Sequence, residues 1–178
     1  MRILFVGQAP SKATDGKPAF TGICGRRLAS LMGLTQERML LDHDFVNVLD
    51  RYPGTGGSSH PRGDAWPLSE ARKAASLLWP TFAGRKVVLV GKNVRDAFKR
   101  TDEFFVWSDA IHSLASRHVL TDKAWIVVVP HPSGVSHWWN DSTNLLAAKF
   151  FFRSLIRYKN VVRSNKTRRQ TCKTKNVA

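Results

Sequence analysis

Four short, largely apolar runs punctuate the chain, at residues 3–6, 44–49, 86–90 and 125–129, and between them apolar positions recur at helical spacing. Residues 69–79 carry Ala71, Ala74, Ala75 and Leu78 along one stripe, with Pro80 just beyond. Residues 24–32 end at Gly33, a residue suited to a helix C-cap. The pattern predicts a short helix over 93–99, after Gly91. It predicts a long one over 140–158, with Leu145, Leu146, Phe150 and Phe152 available to a core. Residues 7–22 and 51–67 read as loops, and 101–122 carries no clear pattern. Apolar on both faces, the runs predict a parallel sheet covered by helices on either side. Ligands of such sheets sit beyond the C-terminal strand ends. That edge would gather GQAPS after the first strand, Asn47 in the second and PHPSG after the fourth.

A chain of 178 residues suits one domain that buries about two-thirds of its unfolded surface. We place that domain at residues 1–160, followed by a basic tail at 161–178 that reads as disordered. Lys and Arg exceed Asp and Glu by 28 to 13, a net charge of +15. Arg157, Lys159, Arg163, Lys166, Arg168, Arg169, Lys173 and Lys175 supply eight of those charges with no acid among them. Such an arm meets phosphate through counterion release, so the expected partner is nucleic acid. A membrane surface fits worse, because the tail lacks an apolar stripe. No apolar run approaches the roughly 20 residues of a membrane span. The opening MRILFVG is too short for a signal-peptide core and reads as a first strand. With Cys24 and Cys172 alone, neither a disulfide framework nor a cysteine-bound metal or cluster is expected. These features place the protein in a reducing cytoplasm.

Two residues ask for chemistry. His131 stands between two prolines where a buried strand emerges, and Asn47 puts an amide that needs partners into an apolar strand. His43, His60, His112, His118 and His137 show no metal-ligand spacing and read as ordinary structural residues.

GQAPS, then GKPAFTG before a helix, FVNVLDRYPG, KVVLVG and PHPSG follow one another in an order and spacing that resemble the uracil-DNA glycosylase superfamily, across about residues 1–155. The look is nearest to the small bacterial type whose first motif runs Gly-Glu-Ala-Pro-Gly, without its four cluster-binding cysteines. The resemblance implies a three-layer α/β/α sandwich with a mostly parallel sheet. It also implies hydrolysis of the N-glycosidic bond of a base flipped out of DNA by a cofactor-free monomer. The DNA is double- or single-stranded on this reading. His131 would donate to the departing base, Asn47 would read its edge, and Gln8 would contact the base or orient water. Ala9 and Ser11 would border the base, and Phe20 would either stack on it or fill the core. Ser133 and Gly134 would approach phosphate. Val135, Ser136, Trp138 and Trp139 would lie at the DNA surface, one apolar side chain serving as a wedge; packing against the last helix is the alternative for the tryptophans. Arg168 and Arg169 would help the tail recruit DNA.

The chain departs from the uracil-specific branch, whose first motif runs Gly-Gln-Asp-Pro-Tyr-His. Its water-positioning Asp is matched here by Ala9, and its methyl-excluding Tyr by Ser11. Asp15 and Asp50 are the candidate replacements for the acid. Ser11 leaves room beside C5 unless Lys12 or residues 55–59 fill it, which points to bases larger than uracil and to an antiviral or phage-related role. Two rival readings remain. One is a catalytically silent nucleic-acid-binding protein with the same fold, which Ala9 favours. The other is a nucleotide-binding enzyme using GQAPSKATDGK as a phosphate loop, though this stretch lacks the Gly-Lys-Ser/Thr ending.

Overall fold

The computed structural model describes residues 2–56, 64–110, 123–133 and 137–156. Five strands form one sheet: β1 (Leu4–Gly7), β2 (Asp44–Asn47), β3 (Lys86–Val90), β4 (Trp107–Ala110) and β5 (Ala124–Val129). Their spatial order is β2-β1-β3-β5-β4. β1, β2, β3 and β5 run parallel, as the apolar character of β1, β3 and β5 predicts, and β4 is antiparallel to β5. The helices are α1 (Ile23–Met32), α2 (Gln36–Asp42), α3 (Leu68–Leu78), α4 (Lys92–Ala97) and α5 (142–156).

Strand side chains alternate between two cores. Leu4, Val6, Val87, Leu89, Ile126 and Val128 pack with Ala71 and Ala75 of α3 and Val94 and Ala97 of α4. Ile3, Phe5, Val88, Val90, Val127 and Val129 pack with Leu28 and Met32 of α1, Met39 of α2, and Ala148, Phe152 and Leu155 of α5. The result is a three-layer α/β/α sandwich.

Two expectations about α5 need correcting. Leu146 and Phe150 are exposed at 69% and 77%. Leu145, Ala148, Phe152 and Leu155 share the inward stripe, at intervals of 3 and 4 that match the helical turn, while 146 and 150 fall on another face. Reading did not anticipate α2 or β4. Thr35 caps α2 by accepting from the Arg38 amide, but only Met39 in that helix is buried, so its periodic signal is weak. β4 sits at the sheet edge with one fully buried residue, Ala110. The proposed boundary at 160 and the tail lie outside the described residues.

β4 is anchored by polar contacts more than by burial. Ser108 donates to the Asp102 carboxylate at 2.6 Å and accepts from Arg100, which also forms a two-pronged pair with Asp102 at 2.6 and 2.8 Å. The Arg100 hydrogen bond and charge, helped by Ser108 and opposed by partial burial, hold the Asp102 carboxyl down at about 2. Because the unfolded chain takes up this proton first, the stabilisation is complete above about pH 4 and is lost as pH falls toward 2. Asp102→Asn is expected to lower unfolding free energy by about 1–3 kcal/mol at neutral pH. It should also flatten stability between about pH 4 and 2, as read by denaturant titrations across that range.

Candidate functional site

A cavity of about 610 Å³ opens at the C-terminal ends of β1, β2 and β5, a volume typical of small-molecule sites. Gln8, Ala9, Ser11, Phe20, Asn47, His131 and Ser133 all line it, brought together from four separate stretches of chain. Gly7 and Asn47 are register partners across β1 and β2. A β-carbon on Gly7 would clash with the Asn47 carboxamide oxygen and come within 2.8 Å of the Phe20 ring. Glycine at that position is therefore what lets the amide and the ring share one wall.

Phe20 has a left-handed backbone at φ 63°, strained for an aromatic residue. Gln36 of α2 compensates by donating to the Phe20 carbonyl at 2.7 Å and to the Gly22 carbonyl at 3.3 Å. Gly25 supplies the clearance, since a β-carbon there would collide with the same Phe20 carbonyl. The ring also packs on Phe45 at 5.3 Å, so Phe20 combines partial core packing with an exposed cavity face.

The His131 turn is held from beneath. Pro130 and Pro132 are buried, and Trp139 donates its indole N–H to the His131 carbonyl at 2.7 Å. Arg27 stacks over the Trp139 ring at 5.2 Å and donates to the Ser133 carbonyl at 3.2 Å. Gly91, at φ 104°, provides room: an added β-carbon would sit 3.0 Å from the His131 Cβ. Among the described residues nothing hydrogen-bonds the His131 imidazole or the Asn47 amide, leaving their polar atoms available to a ligand. Gln8 accepts from the Asn93 amide at 3.2 Å, which fixes its orientation.

Burial lowers the His131 pKa, opposed by the Asp64 charge, so its ring is neutral at pH 7. Burial raises the Cys24 pKa, with Arg27 opposing and Asp64 assisting, so this wall residue is a thiol.

Several expectations change. Neither Asp15 nor Asp50 lines the cavity; Asp15 accepts from the Tyr52 amide at 2.8 Å, and Asp50 faces solvent. Trp139 is 5% exposed, which rules it out as a surface wedge and makes it the support of the His131 turn. Trp138 is half-buried among Phe104, Phe105 and Trp139. Ser11 engages Thr14 Oγ1 at 3.0 Å, while Lys12 is exposed and does not line the cavity. Gly134, Val135, Ser136, Arg168 and Arg169 lie outside the described residues.

Sequence reading missed Lys17, Ile23, Cys24, Arg26 and Asp64, all on the cavity wall. Ile23 is 72% exposed there. A position one turn before a helix core gives no chemical signal, and Asp64 follows an unpatterned glycine-rich loop. Among the described residues, no group of three or more His, Cys, Asp or Glu side chains is placed to hold a metal ion, and no helix is long and apolar enough to cross a membrane.

A family model described as the uracil DNA glycosylase superfamily matches residues 1–155. No curated protein matches the chain.

The lowered His131 pKa means that acidification below about 6.5 charges the unfolded chain before the folded one, costing stability until the folded pKa is passed. In an NMR titration, the His131 ring should titrate below an ordinary histidine, and Asp64→Asn should lower its midpoint further. A midpoint at or above the ordinary value would contradict the burial argument. Gly7→Ala should displace Asn47 and Phe20 and cost about 1–3 kcal/mol of stability, measured by thermal unfolding.

Proposed function

This chain belongs to the uracil-DNA glycosylase superfamily, and from that premise we propose that it is a monofunctional DNA glycosylase, cofactor-free and monomeric, working in the cytoplasm. Members of this superfamily are generally DNA glycosylases acting on DNA. The observation that carries the reading is the half-buried Asn47 amide, without a hydrogen-bond partner among the described residues, beside the Phe20 ring in one cavity. A planar donor–acceptor pair next to an aromatic face suits a pyrimidine edge and plane.

Flipping a base into the cavity costs a few kcal/mol. Stacking on Phe20 returns about 1–3 kcal/mol. Asn47 pairs with the base edge, and Gln8, oriented by Asn93, borders it. As the glycosidic bond breaks, charge develops on the base, and the neutral His131 ring donates a hydrogen bond to O2. A preorganised donor of this kind is worth about 10²–10³ in rate. The prolines, Trp139, Arg27 and Gly91 hold that donor in place before reaction. Lys17 and Arg26 at the rim would meet phosphate, and Ile23 is the exposed apolar group suited to fill the vacated stack.

We assign a substrate range that includes pyrimidines larger than uracil. Ser11 is hydrogen-bonded to Thr14, Lys12 does not line the cavity, and the volume exceeds the needs of a bare pyrimidine. Hydroxymethylated or glycosylated bases mark certain viral genomes, and an antiviral role follows from that range. The silent DNA-binding reading keeps one supporting observation: Ala9 stands where an acid would be expected.

The test is base release from DNAs carrying uracil, mismatched thymine, 5-hydroxymethyl pyrimidines or glucosylated pyrimidines, with mass spectrometry of the freed base. Release is expected from at least one bulky base, falling about 10²–10³-fold in His131→Ala with DNA affinity retained. Release of uracil alone would end the enlarged-pocket reading. Silence across the panel with tight binding would favour the non-enzymatic one.

A further inference from the structure

Among the described residues, Asp64 is the one carboxylate on the cavity wall. We propose that Asp64 is the catalytic base of this site, orienting the attacking water and taking its proton; the proposal rests on the glycosylase reading. The chemistry balances with water as co-reactant. The bond between the sugar C1′ and the base nitrogen breaks, and its electron pair leaves with the base. Water supplies the new bond to C1′, and its proton passes to the Asp64 carboxylate, from which it can return to the released base.

Three observations converge on this residue. First, its location is right: it shares the cavity with Asn47, Phe20 and His131, and its charge is felt at both His131 and Cys24. Second, it is held in place. Thr55 and Asp64 form an antiparallel bridge, and the Ala65 amide donates to the Gly54 carbonyl at 2.9 Å, so backbone pairing fixes this side of the loop. The Tyr52 phenol lies close enough to Asp64 to feel its charge, and the Tyr52 amide donates to Asp15 at 2.8 Å. Partial burial and the neighbouring Asp64 carboxylate raise the Tyr52 phenol, which stays protonated. Third, no Lys or Arg among the described residues forms an ion pair with Asp64, unlike Asp44, Asp96 and Asp102, which are committed to arginines. A carboxylate has about four acceptor positions. No arginine or lysine among the described residues occupies them, which leaves capacity for water.

The other acids do not fill the role. Asp15 is bound to the Tyr52 backbone and Asp50 faces solvent. His131, needed as a donor to the leaving base, is not free to accept water's proton.

The experiment measures single-turnover base release on a DNA that the wild-type chain processes, together with affinity for that DNA and thermal stability. Asp64→Asn is nearly isosteric and leaves the Thr55–Asp64 backbone bridge in place. It should slow release about 10²–10⁴-fold, with affinity and melting temperature undiminished, and Asp64→Glu should recover part of the rate. An Asp64→Asn rate within about threefold of wild type overturns the proposal, as does a loss of rate matched by loss of stability and affinity. If the wild-type chain releases no base from any DNA in the panel, the glycosylase reading falls and Asp64's role with it. An active wild type with an unimpaired Asp64→Asn removes the Asp64 role alone.

Discussion

At the end of β1, the space that a side chain on residue 7 would fill is occupied by two others, the Asn47 amide and the Phe20 ring. This exclusion depends on strand register, because Gly7 and Asn47 are direct partners across β1 and β2. It depends equally on the loop after β1, which must return so that Phe20 reaches the same point in a strained conformation. Gln36 and Gly25 hold that return. The same solution recurs at Gly91, whose missing side chain admits His131. Three glycines thus set the distances between groups from distant parts of the chain, and the sheet supplies the rigidity that makes those distances meaningful.

The polar and charged groups around this frame divide the work. His131 stays neutral because it is buried, and its carbonyl is tied to Trp139 beneath the turn. Arg27 contributes twice, over the Trp139 ring and to Ser133. Lys17, Arg26 and Asp64 all reach the exposed part of the cavity wall. An anionic polymer would therefore meet cations beside a single carboxylate among the described wall residues.

β1, β3 and β5 were legible because they are buried on both faces and need no alternation. Lys86–Val90 in particular stands out as an uninterrupted run. Asn47 and His131 were legible because each breaks an apolar pattern at a sheet edge. α2 and β4 were not, since one buried residue in each leaves little periodic signal. Asp64 escaped because its position follows from a backbone bridge to Thr55, a contact that spacing does not encode. Trp139 was legible as an aromatic residue near the site, but its partner, the His131 carbonyl, is a backbone atom that carries no sequence mark.

The most direct test of the base-pocket account is an NMR titration of the full chain with free uracil and 5-hydroxymethyluracil, following the Asn47 side-chain amide and the His131 ring. The account predicts that both sets of resonances shift together with one binding curve, and that Gly7→Ala abolishes the shared response while the sheet core remains folded. Shifts confined to other surfaces, with Asn47 and His131 unmoved at saturating base, would contradict it.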